Sequence, residues 1–379
     1  MSKSVFISAG EPSGDVHASG LISAIQSKIP DISIWGLGGD RLGELGAELI
    51  YHVSRLSSMG FAELAGKMLF FRKVYKSVIQ EIEKNRPDAA ILVDYPGMNF
   101  RFGDRLSELG IPFIYYILPQ VWAWHESRVE KMMSWRNARF VSILPFEQDY
   151  FKKRGLHVDY FGHPLVDTAR PDTGEEKFRS DVGIESNDTL LAILPGSRTQ
   201  EIRRILPVML KATKAAQKEH NRIIPVCRPS NDAQVELCKS SAGRLNVELR
   251  IYRESVYNLL TYSDLTLVTS GTATLEAAIC GAPSIVLYRT NPLTYYLARR
   301  LVKVPNIAMA NLIAGETIYP ELIQSDANPE NICAEIARYV ESPQLRESTR
   351  SRIAGVSKLL GDGEAYLKAA ERVAEFLEL

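Results

Sequence analysis

At 379 residues, 45% apolar and 24% charged, the chain has the composition of a globular protein and enough length for two domains of ordinary size. Lysine plus arginine equals aspartate plus glutamate at 45 each, which removes the broad basic surface that nucleic-acid binding relies on. Four scattered cysteines without CxxC spacing, histidines without an HxxxH pair and no apolar run near ~18 residues argue against a disulfide scaffold, a zinc site and a spanning helix.

Strand-like runs alternate with amphipathic helical stretches from the first residues onward, the pattern of parallel α/β architecture. In the first half strands are expected near 5–9, 33–37, 89–93, 113–118 and 140–143, with helices such as 14–28, 71–85 and 102–109 between them. The short run at 4–8 reads as a first strand rather than a signal peptide, so a cytoplasmic protein is expected. A polar stretch through Pro171-Asp172-Thr173-Gly174 is the best linker. The alternation then restarts, with strands near 190–194, 223–226, 247–251, 265–268 and 284–288. The last ~50 residues read as helical, with Pro329 and Pro343 in first turns. The expected architecture is two doubly wound, Rossmann-like domains facing a central cleft, over 1–168 and 169–345, with C-terminal helices over 346–379 that pack back on the first domain or on a partner subunit. In open α/β sheets ligands bind beyond the carboxyl ends of the strands, so the loops after strands are where chemistry belongs.

The first such loop is Gly10-Glu11-Pro12-Ser13-Gly14-Asp15. It lacks the GxGxxG spacing of a dinucleotide fingerprint, and Glu11 would repel a pyrophosphate lying on it. An acid here suits a sugar hydroxyl; Ser13 and Asp15 read equally well as helix caps. Asp94 ends the apolar run 89–93 in the loop Asp94-Tyr95-Pro96-Gly97. Partial burial there raises a carboxyl's proton affinity, which suits a general base on a hydroxyl; a turn-initiating aspartate before Pro96 is the competing reading. Trp122 and Trp124, in the loop after 113–118, read either as a wall for a sugar ring or acyl chain or as packing.

In the second half, the strand 190–194 runs into Pro195-Gly196-Ser197-Arg198 and then a helix. Free amides at a helix start and the helix dipole favour an anion, and Arg198 adds a cation that can fork onto phosphate. Ser270-Gly271-Thr272 repeats the arrangement after 265–268, with Glu276 one helical turn beyond Thr272, where a carboxylate can hold ribose hydroxyls. Two such turns on one sheet point to a nucleotide. Two basic, apolar stretches, 68–76 with Phe70 and Phe71 and 295–303 with Arg299 and Arg300, suit a membrane interface, although most helices of that composition simply pack an apolar face.

With these loops in this order, from Ser8–Asp15 through Leu144-Pro145-Phe146-Glu147 and Phe161-Gly162-His163-Pro164 to 308–315, the chain resembles the lipid-A-disaccharide synthases over nearly its whole length. These are inverting glycosyltransferases of the GT-B fold. The resemblance implies transfer of 2,3-diacylglucosamine from its UDP conjugate to the 6-hydroxyl of 2,3-diacylglucosamine 1-phosphate, giving lipid A disaccharide 1-phosphate and UDP. By motif position, Asp94 matches the proposed base and Glu11 an acid needed for activity. Ser197, Arg198, Ser270, Gly271, Thr272, Glu276 and Asn311 match positions around the UDP. Trp122, Trp124, Phe70, Phe71, Arg299 and Arg300 are the acceptor- or lipid-facing candidates. Many relatives carry a second acid three residues after the base, where this chain has Gly97. The reading implies no metal, no cofactor and no nucleic acid. It implies peripheral attachment to the inner membrane from the cytoplasm, and it leaves a homodimer open. The rivals are a UDP-N-acetylglucosamine 2-epimerase-like isomerase and a noncatalytic nucleotide- or lipid-binding protein.

Overall fold

The computed structural model describes residues 3–57, 64–124, 126–291, 295–296, 300 and 304–376. They divide into two compact units, one of residues 1–164 together with 361–379 and one of residues 165–360.

The first unit is built on a parallel sheet of seven strands: β1 (Ser4–Ala9), β2 (Ser33–Gly38), β3 (Glu48–His52), β4 (Ala89–Val93), β5 (Phe113–Tyr116), β6 (Ala138–Ser142) and β7 (Asp159–Tyr160). Their order is β3-β2-β1-β4-β5-β6-β7. The period of two along a strand sends alternate residues to opposite faces, and here both faces are apolar. Phe6, Leu92, Phe113 and Tyr115 join one buried cluster, while Val5, Ile7, Ile91, Val93 and Ile114 join the other. Helix Leu64–Asn85 covers the first face with Val74, Val78 and Ile82. Helix Pro12–Lys28 covers the second with Leu21, Ile22 and Ile25.

The second unit repeats the plan with β8 (Thr189–Leu194), β9 (Ile223–Cys227), β10 (Arg250–Ile251), β11 (Leu265–Thr269), β12 (Ser284–Tyr288) and β13 (Glu321–Ile323). The order is β10-β9-β8-β11-β12-β13, again parallel. Helix Thr199–Ala216 presents Ile202, Ile205, Leu206 and Met209 at helical spacing to this core, and Ile332 and Ile336 of helix Pro329–Glu341 complete it. In each sheet the strand order reverses beside the first strand, between β1 and β4 and between β8 and β11. Such a switch point parts the flanking loops and opens a crevice for ligand.

The helical C-terminus divides between the units. Helix Pro343–Leu359 belongs to the second, whereas Ala365–Phe376 packs on helix Pro12–Lys28 of the first. Ala369, Ala370 and Val373 enter that core, and His17 Nδ1 lies 3.0 Å from the Tyr366 hydroxyl. A Cβ on Gly20 would stand 2.4 Å from the Tyr366 ring, so the helices meet this closely because position 20 has no side chain. Pro329 and Pro343 do open their helices, capped by the side chains of Asn328 and Ser342.

Some strand boundaries differ from the sequence pattern for local reasons. The run expected over 113–118 stops at Tyr116 because Ile117 turns left-handed, with φ 64°. That expected over 247–251 shrinks to β10 because Asn246, at φ 51°, and the bond from Val247 N to the Ala242 carbonyl are still closing the preceding helix. The edge strands β3 and β13 are half-buried and mixed in composition, and β7 is two residues long, so no period marks them.

Candidate active site

In the first unit the chemistry collects at the carboxyl ends of β1, β4, β5 and β6. Asp94 and Tyr95, directly after β4, both adopt left-handed backbone, at φ 47° and 46°. Two consecutive non-glycine residues in that region store strain, which the surroundings must hold. Asn99 does so from the next helix, its Nδ2 donating to the carbonyls of Asp94 (2.7 Å), Val93 (3.1 Å) and Ser8 (3.3 Å) while its Oδ1 accepts from the Ser8 hydroxyl. The Tyr115 hydroxyl also donates to the Asp94 carbonyl, at 2.8 Å. Tyr95 lies flat against Gly10, where a Cβ would fall 2.1 Å from the ring. The two loops at the switch point are thereby locked together.

Burial, and then the charge of Glu11, push the Asp94 carboxyl up to about 6. Glu11 is exposed and makes no capping bond to the helix it precedes. Asp15 turns out to brace a different element. Its carboxylate is buried and accepts from the backbone N–H groups of Gly39, Arg41 and Leu42, so it caps the following short helix rather than its own.

A second carboxyl stands nearby. Glu147, in the first turn of helix Pro145–Lys152, is 1% exposed; its Oε1 accepts from Trp122 Nε1 at 2.9 Å and its Oε2 has no partner. Burial drives it up to about 8, against the opposing bonds from Trp122 and Leu144, with Asp94's charge adding to the rise. Near neutral pH Asp94 is therefore mostly ionised and Glu147 mostly protonated, the division of labour that acid–base sites use. The motif holding Glu147 was visible in the sequence, but nothing in it signalled burial; its place after the strand adjacent to β5 was the only cue. Trp122 packs edge-on to Phe146 and answers Glu147, so it serves this arrangement more directly than an open sugar platform.

Phe70 and Phe71 are partly buried against the core and pack on each other, while the preceding Leu69 is 69% exposed. Arg300 stacks over Tyr296, with its carbon 4.4 Å from the ring centroid. Arg299 and the Trp124 side chain lie outside the described residues.

In the second unit a cavity of about 440 Å³ sits at the β8/β11 switch point. Ser197, Arg198, Ser270, Gly271, Thr272 and Glu276 all line it. Gly196, at φ +110°, makes the turn out of β8, and Glu201 reaches back to the Arg198 N–H at 3.3 Å. The Arg198 side chain is 82% exposed and only loosely held by Glu201, at 3.4 Å, which leaves it able to swing onto a ligand. Helix Thr272–Ile279 starts at Gly271 without any side-chain cap, so no side chain competes for its first-turn amides. Glu276 is deeply set, accepts from the Tyr257 hydroxyl at 3.2 Å, and is pushed up by burial against the pull of that bond and of Arg228. Arg228, after β9, also lines the cavity. No glycine turn marks its loop, so the sequence does not single it out.

Asn311 is placed differently from the expectation. It is fully buried, and its amide donates to Tyr319 O (2.9 Å) and Glu321 Oε1 (2.8 Å) and accepts from the N–H groups of Ile318 and Tyr319. No capacity is left for a nucleotide. Asn311 instead fixes Glu321, which holds the Ile307 and Ala308 amides, and the Ile307 carbonyl takes the Ser270 hydroxyl. It is a brace behind the cavity rather than part of its wall. Among the described residues no group of three or more His, Cys, Asp or Glu is placed to hold a metal.

Two doubly wound units with polar loops at their switch points form the architecture of the GT-B enzymes that handle nucleotide sugars. The structure is similar to that of UDP-GlcNAc 2-epimerase from Neisseria meningitidis bound to UDP-GlcNAc (TM-score 0.65, 14% identity, 98% of this chain and 99% of that one). It is also similar to Acinetobacter baumannii MurG (TM-score 0.62, 12% identity, 99% and 100%). The family model for lipid-A-disaccharide synthetase matches residues 5–373. The chain is 33% identical to the lipid-A-disaccharide synthase of Geobacter sulfurreducens over 98% of this chain and 97% of that one. It is 36% identical to that of Anaeromyxobacter dehalogenans strain 2CP-1 over 97% and 96%. The chain belongs to the lipid-A-disaccharide synthetase family and is a glycosyltransferase of lipid A disaccharide formation.

Proposed function

We propose that the protein transfers 2,3-diacylglucosamine from its UDP conjugate to the 6-hydroxyl of 2,3-diacylglucosamine 1-phosphate, inverting the anomeric carbon and releasing UDP. The new bond forms from the acceptor oxygen to the anomeric carbon as the bond from that carbon to the β-phosphate oxygen breaks. The hydroxyl proton passes to Asp94 and the electron pair to the departing diphosphate. The observation that carries the reading is Asp94 itself: a strained, half-buried carboxylate at a switch point, poised at about 6, is mostly ionised at neutral pH yet basic enough to take a proton. Glu11, whose charge adds to the effect of burial on the Asp94 carboxyl, suits a sugar hydroxyl or amide.

On the donor side, Arg198 and the amides opening helix Thr272–Ile279 answer the charge that develops on the diphosphate, with Ser197 and Thr272 as hydroxyl partners; Ser270, whose hydroxyl donates to the Ile307 carbonyl, shapes the wall beside them. Glu276 suits the ribose hydroxyls, and Arg228 adds a second cation. Residues 1–168 then form the acceptor and lipid side and 169–345 the UDP-sugar side. The protein works at the cytoplasmic face of the inner membrane. Supporting that placement, Leu69 and Tyr296 stand 69% and 54% exposed in the two basic, apolar stretches.

Purified protein given UDP-2,3-diacylglucosamine with and without the acceptor tests the reading. UDP release that requires the acceptor, with disaccharide formed in equal amount, is expected. An altered UDP-sugar without any acceptor would establish the epimerase-like isomerase instead.

A further inference from the structure

A cavity of about 790 Å³ opens in the first unit between helices Leu64–Asn85 and Pro96–Leu109. Its wall is largely apolar, with Tyr75 and Met98 contributing, and Tyr75 is itself fixed by stacking on Phe102 at 5.6 Å. Three cations stand around that wall: Arg72, Lys76 and Arg101. Arg72 and Lys76 are one helical turn apart and so share a face. All three are exposed, and among the described residues none makes an ion pair or a side-chain hydrogen bond.

Neighbouring charges on the same surface are already answered. Arg105 is tied to Glu83 and Glu108. Asp104, the one acid lining the cavity, is bound by Lys131 at 2.7 Å and by Trp135 Nε1 at 2.9 Å. The cavity thus joins an apolar wall to three cations with no counter-ion, the complement of a molecule that carries both a phosphate and a hydrocarbon chain.

Its position selects which such molecule. Tyr95 and Gly97 line the cavity, so it begins immediately beside Asp94. In the acceptor proposed above, C1 and C5 both flank the ring oxygen, so the 1-phosphate and the 6-hydroxyl project from the same side of a single sugar ring. A hydroxyl placed at Asp94 therefore keeps the phosphate within the breadth of that ring, on the side where Tyr95 and Gly97 open the cavity.

We infer that this cavity is the acceptor subsite, with Arg72, Lys76 and Arg101 holding the 1-phosphate and the apolar wall receiving acyl chain. The inference rests on the proposed reaction and adds to it the residues that select a phosphorylated acceptor.

The test uses the full chain in neutral detergent micelles, so that attraction to an anionic bilayer plays no part. Wild type and Arg72→Gln/Lys76→Gln/Arg101→Gln are given UDP-2,3-diacylglucosamine with either 2,3-diacylglucosamine 1-phosphate or the same lipid without phosphate. Wild type is expected to show a KM about tenfold or more lower for the phosphorylated acceptor, as charge-assisted contacts to phosphate supply. The triple variant is expected to lose that preference through a raised KM for the phosphorylated acceptor, while the KM for UDP-2,3-diacylglucosamine, which binds elsewhere, stays near wild type. A preference that survives in the variant, or is absent from wild type, overturns the inference while the transfer reaction stands. Equal weakening on both acceptors also overturns it, because a general loss of lipid binding would look like that. Absence of transfer from wild type to either acceptor would instead refute the proposed reaction.

Discussion

Asp94 illustrates how a single residue is tuned by its neighbours. A carboxyl at about 6 must lose its proton before it can act as a base, so kcat/KM should fall about tenfold per pH unit below 6 and level off above it. Since Glu11's charge contributes to the rise, Glu11→Gln should move the midpoint of that limb to lower pH, whatever it does to the rate; a pH–rate series on both proteins reads this directly. Asp94→Asn should lower turnover by about a hundredfold or more while UDP affinity, measured by calorimetry, stays within about twofold. Glu147 makes the opposite kind of prediction. Its folded-state carboxyl titrates at about 8, above its ordinary value, so it favours the folded protein at low pH and that benefit is lost as pH rises toward 8. Glu147→Gln, an uncharged near-isostere, should therefore gain thermal stability relative to wild type between about pH 5 and pH 8 in paired melting curves. Residues of this kind separate what the sequence discloses from what it conceals. Asp94, Glu11 and the Ser197–Arg198 turn were legible because each follows an apolar strand, and position after a strand is written in the periodicity. Glu147 and Asn311 were not, since an amide or acid in the sequence declares how many hydrogen bonds it can make but not who satisfies them.

Among the loops and helices, the contact of Tyr95 with Gly10 carries the most consequence. With a Cβ only 2.1 Å from the ring, Gly10→Ala has to displace Tyr95 and with it the left-handed pair that presents Asp94. Turnover should drop at least tenfold in the UDP-release assay, with UDP affinity unaffected because that cavity lies in the other unit. Gly97 gives the control. A Cβ there meets nothing within 4 Å, so Gly97→Ala should keep near-wild-type activity and melting temperature. That open space also gives the loop room for a larger side chain at position 97. The strands and long helices were readable from their apolar spacing, whereas β3, β7 and β13 were not. Short edge strands owe their pairing to the sheet beside them and leave no pattern of their own.

For the molecule as a whole, the decisive feature is that the first unit is discontinuous in sequence, closed by residues 361–379, while the second is one unbroken segment. A fragment of residues 165–360 contains the entire nucleotide cavity and its brace at Asn311, so it should fold alone and bind UDP with an affinity within about threefold of the full chain, by calorimetry. Removing residues 361–379 should do the reverse. It uncovers the face of helix Pro12–Lys28 around Gly20 and deletes the Arg372–Asp159 pair, so the first unit should melt at a distinctly lower temperature while the second is unchanged.

The same discontinuity matters during synthesis. The ribosome delivers residues 1–164 and then must make the whole intervening unit before the segment that completes the first one appears, a wait of roughly ten to forty seconds at ordinary elongation rates. Throughout that interval the nascent chain carries an uncovered apolar helix face, a natural station for a chaperone. A polypeptide released before residue 361, by a nonsense codon or a stalled ribosome, lacks the closing helix, so the half that carries the proposed base cannot reach its full structure on it.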